Sequence, residues 1–336
     1  MAEKTLIIAE KPSVAGDLCK VLPGKFSKSK THYESDSYIV SYAIGHLVAI
    51  KYPEEMDPKY KSWSLDNLPI IPEDFSLKGL QGTKSQLNAL QKLIRRKDVT
   101  TIINACDAGR EGELIFKYIL RYVWNNSVAR KSFKRLWLQS MTRGAIKEGF
   151  ATLRDSDDMR TLEDAALCRS ESDWLVGLNA TRALTSFNSR KGGFFLTSCG
   201  RVQTPTLSLL VRREQERLIF EPREYVNLTA TFSFGDGSYT GKWIDPTFKK
   251  DKKDPHGRAD RIWKAEDAIA IVERCTGKPA EVNETQKKSS QRSQGLYDLT
   301  SLQREANSRF GFSAKNSLGI AQALYEKHKV LTYPRT

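Results

Sequence analysis

The chain has 336 residues, with 54 Lys and Arg against 40 Asp and Glu for a formal charge of +14. That length predicts two or three domains, each able to bury a core, and the basic excess points to a polyanionic partner. No apolar run approaches the ~20 residues that span a bilayer, no signal-peptide pattern opens the chain, and five scattered cysteines argue against a disulfide framework or a cysteine-type zinc module. The sequence thus reads as a soluble protein of a reducing cytoplasm.

Residues 1–150 predict alternating strands and helices. Thr5 to Ala9 reads as a buried strand, and Val14, Leu18, Val21 and Leu22 as a helical stripe after it. Tyr38 to Ile50 contains a second extended run. Leu87, Leu90 and Ile94 mark an amphipathic helix, Thr100 to Ala105 a third strand, and Leu114, Ile115, Tyr118, Ile119 and Tyr122 the helix that follows. Arg135 to Leu138 predicts another strand, and Thr142 the cap of a helix holding Ala145, Ile146, Phe150 and Leu153. Such alternation predicts an α/β fold, a mostly parallel sheet covered on both faces.

Residues 160–188 predict one long helix or a pair. A Gly192-Gly193 loop leads to another helix, with Thr204 as cap and Pro205 in its first turn. Residues 224–244 alternate, with Phe234 to Ser238 as the turn of a hairpin. Lys249 to Arg261 reads as an exposed charged loop, and from Leu299 two helical stripes run toward the C-terminus.

Four constellations carry possible chemistry. Glu10-Lys11-Pro12-Ser13 follows the first strand, where open α/β sheets place their ligands, and offers a proton donor and a phosphate clamp. Asp107-Ala108-Gly109-Arg110-Glu111-Gly112-Glu113 follows another buried strand, and its carboxylates suit a hard cation such as Mg²⁺. Ser198-Cys199-Gly200-Arg201-Val202-Gln203-Thr204-Pro205 runs into a helix start, where backbone N–H groups, Arg201 and Gln203 can meet phosphate and base edges. Last comes Tyr333-Pro334-Arg335, a restrained phenol beside a guanidinium that can grip a phosphate with paired hydrogen bonds. On the long helix, Arg169 and Asp173 are also spaced to pair with each other, and Trp174 is of a type more often found in a core.

In this order the four motifs resemble the type IA DNA topoisomerases, the topoisomerase III branch above all. Gly45-His46-Leu47, Trp63, Leu136-Trp137-Leu138, Asp173-Trp174, Asn179 to Arg182 and Phe310-Gly311 extend the resemblance along the whole chain. It implies a Toprim domain over residues 1–153, a helical DNA-binding domain over 154–222, a β-rich gate-arch segment over 223–285 and a helical segment over 286–336 that carries the nucleophile. Tyr333 is expected to attack single-stranded DNA and keep the 5′-phosphate. Lys11 and Arg335 would steady that phosphate, and Glu10 would protonate the departing 3′-oxygen. Glu10 and Asp107, with Glu111 or Glu113, are the expected Mg²⁺ ligands. Trp63, Arg169, Trp174, Arg182, Arg335 and Ser198, Cys199, Gly200, Arg201, Val202 and Gln203 are the expected DNA contacts. No nucleotide cofactor is implied, and the expected protein is a monomer of the cytoplasmic nucleoid.

Two departures qualify the likeness. The usual Toprim pattern is Asp-x-Asp-x-Glu, and Gly109 stands at its middle acid, which leaves Glu111 and Glu113 both open as the third ligand. The family also continues well past its tyrosine to close a toroid. The chain is therefore expected to be an N-terminal piece with an incomplete toroid and exposed apolar surface. Two alternatives stand beside the leading reading: a metal-dependent Toprim nuclease or primase, and an inactive remnant that binds single-stranded DNA.

Overall fold

Four consecutive apolar residues, Leu6 to Ala9, can all be buried only in a strand covered on both faces. In the computed structural model, which describes residues 3–124, 126, 128–252, 254 and 256–334, this strand is β1 (Lys4–Ala9), and those four residues are fully buried. After it come α1 (Pro12–Cys19), β2 (Ser27–Lys28), β3 (His32–Glu34), β4 (Tyr38–Tyr42), β5 (Val48–Ile50) and the one-turn α2 (Pro53–Met56). β6 (Leu77–Gly79), α3 (Lys84–Ile94), β7 (Val99–Ala105), α4 (Arg110–Val123), β8 (Ser132–Arg135), α5 (Arg143–Ala151) and β9 (Arg154–Asp155) follow.

Seven strands form one sheet in the order β2-β3-β4-β1-β7-β8-β9. Its centre, β4-β1-β7-β8, is parallel, as the alternation of strands and helices predicts. The edges are antiparallel, through β2 and β3 on one side and β9 on the other. Alternate side chains enter two cores. Leu6, Ile8, Ile39 and Ile102 join the helices α3 and α4 on one face, whereas Ile7, Ala9, Val40 and Ile103 join α1 and α5 on the other. Parallel register sets Ala9 beside Tyr42 and Ala105, so the loops after β1 and β7 leave the sheet side by side.

Several boundaries differ from expectation. α1 ends at Cys19, so Val21 and Leu22 lie beyond it. The run Tyr38 to Ile50 is two strands, because Ile44 and Gly45 take left-handed φ values of 55° and 75° and turn the chain. A β-branched residue there stores strain, and the turn is pinned from Ala43 N–H to the Ala9 carbonyl at 2.9 Å. The strand expected at 135–138 is β8, ending at Arg135; Leu136 and Leu138 are buried after it.

The chain divides into two units, Met1–Thr206 with Gln294–Thr336, and Leu207–Ser293. Within the first, residues 160–188 form one helix, α6 (Arg160–Asn188). The next helix, α7 (Gln203–Leu218), begins one residue before Thr204. Thr204 is therefore not its cap; its hydroxyl accepts a hydrogen bond from Gly200 N–H at 3.0 Å.

The second unit holds the expected hairpin, β10 (Thr229–Phe234) and β11 (Gly237–Lys242), with Phe232 stacked on Tyr239. It also contains a helix the sequence reading did not anticipate, α8 (Ala265–Cys275). α9 (Leu299–Phe310) and α10 (Ala314–Glu326) return to the first unit and match the two C-terminal stripes. No helix among the described residues is long and apolar enough to cross a membrane.

One charged cluster ties the sheet edge to the helix layer. Arg96 holds Glu34 through two bonds of 2.8 and 3.0 Å, and Lys4 Nζ adds a third at 2.7 Å. The Arg96 bonds, opposed by burial and aided by Lys4, pull the Glu34 carboxyl from its ordinary 4.5 to about 2. A depressed carboxyl gives its full stabilisation above the unfolded value and loses it as the pH falls toward the folded one. Glu34→Gln should therefore cost ~1–2 kcal/mol at neutral pH. Thermal unfolding of both proteins from neutral pH to about pH 3 should show the gap narrowing below about pH 5.

Candidate active site

The first loop is shaped by a proline. Pro12 opens α1 with its φ fixed, and Lys11 before it is extended at φ −127° and ψ 149°. Lys11 sits at the cap position without a side-chain cap bond, so its ammonium reaches across the crevice instead. Its Nζ stands 3.3 Å from Asp107 Oδ2 and 2.7 Å from Glu326 Oε1. Asp107 N–H in turn donates to Glu10 Oε2 at 3.3 Å. The loops after β1 and β7 thus interlock directly.

Electrostatics separates the groups. Burial raises the Glu10 carboxyl above its ordinary value, and the charges of Asp107 and Glu111 add to this against Lys11. Burial opposes the Lys11 charge, but the Glu326 hydrogen bond and the charges of Asp107 and Glu10 outweigh it and raise its pKa. Glu326 is pushed up by burial and more strongly down by the Lys11 and Gln322 hydrogen bonds, so it stays ionised. The site thus sets a carboxyl biased toward its protonated form beside an ammonium biased toward its charged form.

What fixes the acidic loop is Arg135, at the end of β8 and 1% exposed. Its Nε bonds Glu113 Oε1 at 2.6 Å, while its terminal nitrogens reach the carbonyls of Cys106, Leu136 and Asp107 at 2.7, 2.8 and 2.9 Å. Asn104 Nδ2 takes the other Glu113 oxygen at 3.1 Å. Glu113, one of the two carboxylates left open as third metal ligand, is thereby committed to a buried pair. Glu111 is exposed, and its Oε1 lies 2.5 Å from His46 Nε2. Among the described residues, no three His, Cys, Asp or Glu side chains stand together as a ready metal site. The oxygen-only pair Glu10 and Asp107 is the part that suits a hard cation.

The C-terminal segment comes to this crevice. Ser313 caps α10 by accepting from Asn316 N–H at 3.1 Å, and the helix ends at Glu326. Lys329 turns the chain at φ 57° and ties it to α1 through Asp17 Oδ2 at 2.7 Å. Tyr333 N–H then donates to the Gln139 carbonyl at 2.8 Å. The Tyr333 ring packs on the Tyr325 ring with centroids 5.3 Å apart, and both join the core on that face of the sheet. Burial, then the charges of Asp107, Glu326 and Glu10, raise the Tyr325 phenol. Arg335 lies outside the described residues. Sequence reasoning missed Tyr325, Glu326, Gln139 and Arg135; the (i, i+4) pair Gln322–Glu326 was the one local cue.

Several expected DNA contacts are built into the fold. Trp174 donates Nε1–H to the Lys51 carbonyl at 3.0 Å and packs edge-on against Phe75. Arg182, 4% exposed, holds Glu54 and the Tyr60 carbonyl and covers the Trp63 ring. Phe194 meets the Trp63 ring edge-on. Asp173 pairs with Arg201, at 2.6 and 3.2 Å, rather than with Arg169. Cys199 is bonded through its backbone to Thr181. Arg169, Ser198, Arg201, Val202 and Gln203 are exposed, and Gly200 is half-buried.

Gly112 makes the loop possible. A Cβ there would lie 2.1 Å from the Asp107 carbonyl oxygen, so any side chain must displace the acidic loop. Gly112→Ala should cost ~1–3 kcal/mol of stability. It should also move the backbone NMR signals of Asp107 and Glu10; unchanged stability and an unchanged spectrum would show that the close approach is dispensable.

Comparison with known proteins identifies the family. The Toprim domain profile matches residues 5–140 and the DNA topoisomerase profile residues 157–336. DNA topoisomerase 3 of Bacillus subtilis is 44% identical over 336 residues, which cover 99% of this chain and 43% of that protein. The Bacillus licheniformis protein of the same name is 44% identical over 337 residues with the same coverage. The chain thus spans less than half the length of these relatives. Full-length topoisomerase I from Thermotoga maritima shares the fold, with a TM-score of 0.61 over 98% of this chain and 48% of that one, at 24% identity. By sequence match along nearly all its residues, the chain belongs to the type IA DNA topoisomerases.

Proposed function

We propose that this chain carries the strand-cleavage centre of a topoisomerase III-type enzyme acting on single-stranded DNA. Tyr333 Oη attacks a phosphodiester; its bond to phosphorus forms as the bond to the 3′-oxygen breaks, and that oxygen takes up a proton. The 5′-phosphate stays on the tyrosine, and reversal after strand passage rejoins the backbone. One phosphodiester replaces another, so the bond energy is conserved and no ATP is needed. The observation that carries this reading is the docking of the segment from Glu326 to Tyr333 against the crevice that holds Lys11 and Asp107.

Each group has a task suited to its surroundings. A free phenol titrates at ~10 and needs cationic neighbours to react at neutral pH. Lys11, kept charged, offsets the charge that gathers on phosphorus as attack proceeds. Glu10, whose carboxyl is raised by burial, is assigned to pass a proton to the 3′-oxygen. Arg335 is assigned a grip on the scissile phosphate. Glu10 and Asp107 would hold Mg²⁺ with Glu111, the carboxylate not taken up by Arg135. When bound, the ion supplies Lewis-acid stabilisation of phosphate charge. Arg169, Ser198, Gly200, Arg201, Val202 and Gln203 would meet the DNA backbone and bases, over the support of Trp63 and Arg182. The same reading assigns residues 1–153, 154–222, 223–285 and 286–336 to four domains, and the protein to the cytoplasmic nucleoid as a monomer.

Trapping tests the reading. Labelled single-stranded DNA and Mg²⁺, followed by denaturation, should leave label on the protein. Tyr333→Phe should abolish the adduct while DNA affinity stays within about two-fold, since one hydroxyl is lost from a large contact area. An adduct that survives in Tyr333→Phe, or free cut product without adduct, would overturn the assignment. Asp107→Asn should slow rejoining, read as longer-lived adduct after Mg²⁺ is added, by at least ~10-fold while leaving affinity nearly unchanged.

A further inference from the structure

Lys11 reaches two anions, and the shorter bond goes to the residue that the cleavage chemistry leaves unused. Glu326 Oε1 stands 2.7 Å from Lys11 Nζ, against 3.3 Å for Asp107. We propose that Glu326 is a positioning residue that occupies the DNA phosphate's place on Lys11 and is exchanged for that phosphate when single-stranded DNA binds. The inference rests on the functional reading above, which makes Lys11 a phosphate contact.

Three observations carry it. The first is charge: one ammonium already faces Glu10, Asp107 and Glu326, and a phosphodiester drawn to it would add a fourth anion within a few ångströms. Asp107 is 8% exposed, and its backbone carbonyl is held by Arg135, so its carboxylate has little room to withdraw. Glu326 has more. Its side chain is 29% exposed, and its other hydrogen bond is to Gln322, on its own helix.

The second is position in the helix. Glu326 is the last residue of α10, where a negative charge meets the negative end of the helix dipole. Its own helix disfavours the charge, so the carboxylate depends on Lys11 and has no comparable alternative there. The third is connectivity. Tyr325, the neighbouring residue, packs its ring on Tyr333, so the segment that yields Lys11 to DNA is the segment that carries the nucleophile. Glu326 thus keeps the ammonium aimed at the crevice beside Asp107 while no nucleic acid is present.

A binding cycle tests the exchange. Fluorescence anisotropy of a labelled oligothymidylate, in low salt with EDTA, reports affinity for the intact chain without cleavage. Glu326→Gln keeps shape and the Gln322 contact but removes the charge; it should tighten binding roughly two- to five-fold, the range of a partly exposed ion pair. Glu326→Asp, which keeps the charge, should stay near the parent value. Lys11→Ala should weaken binding, and adding Glu326→Gln to it should then change nothing, because Glu326 acts through Lys11. Unchanged or weaker binding by Glu326→Gln overturns the exchange. Equal tightening with and without Lys11 does so as well, since the charge would then act at large. Normal binding by Lys11→Ala would instead overturn the functional reading on which the exchange stands.

Discussion

A single buried guanidinium decides what the acidic loop presents. Arg135 closes β8 and gathers Glu113 together with the carbonyls of Cys106, Asp107 and Leu136. It also lies 4.9 Å from the Trp137 ring centroid, with Arg154 on the same ring at 5.1 Å. Removing one member of a buried ion pair typically costs ~3–5 kcal/mol, because the other is left charged and unpartnered. Arg135 therefore withdraws Glu113 from the crevice and, through the Asp107 carbonyl, holds the loop whose backbone N–H meets Glu10 and whose Asp107 carboxylate meets Lys11. The chemistry assigned to Asp107 depends on a residue that touches no ligand.

The same economy governs the tyrosine segment. It is held to the first sheet by few contacts of different kinds. Lys11–Glu326 and Asp17–Lys329 are ionic, Tyr333 N–H to Gln139 is a backbone bond, and the Tyr325 and Tyr333 rings are apolar. Tyr325 is buried among residues of the second core, so the segment is anchored by packing and aligned by charge. Aligned in this way, the segment that follows α10, with Tyr333 as its proposed nucleophile, comes to rest beside the loops after β1 and β7, adjacent strands at the centre of the sheet.

Much of this was legible in the sequence, for a physical reason. β1 ends in four apolar residues and β7 is rich in β-branched ones, each closely followed by charge, so their strand character and the strand-end position of Glu10, Lys11 and Asp107 could be read locally. The hairpin turn at Gly235-Asp236 and the long α6 were legible in the same way. Arg135–Glu113 was not, because the pair joins two elements through the sheet and neither residue differs in kind from a surface charge. Lys11–Glu326 was beyond reach for the same reason, its partners being separated by 315 positions in sequence. Propensity also hides Ile44, since a β-branched residue is the last expected at positive φ. Trp174 and Arg182 were expected to meet DNA from the family resemblance, and their bonds to the Lys51 carbonyl and to Glu54, which join residues more than 100 positions apart, could not be read locally.

Lys329 has a consequence for how the tyrosine segment could part from the sheet. Its left-handed backbone redirects the chain just after α10, and its ammonium is moored to Asp17 on α1. Charged partners that separate are promptly rehydrated, whereas parted apolar faces would stay exposed at a cost proportional to their area. Of the moorings, the two ionic ones would therefore let go with little penalty and re-form on return, and counterions in the medium would ease both. The ionic moorings therefore set the alignment of the segment, and the buried Tyr325 sets the cost of lifting it away.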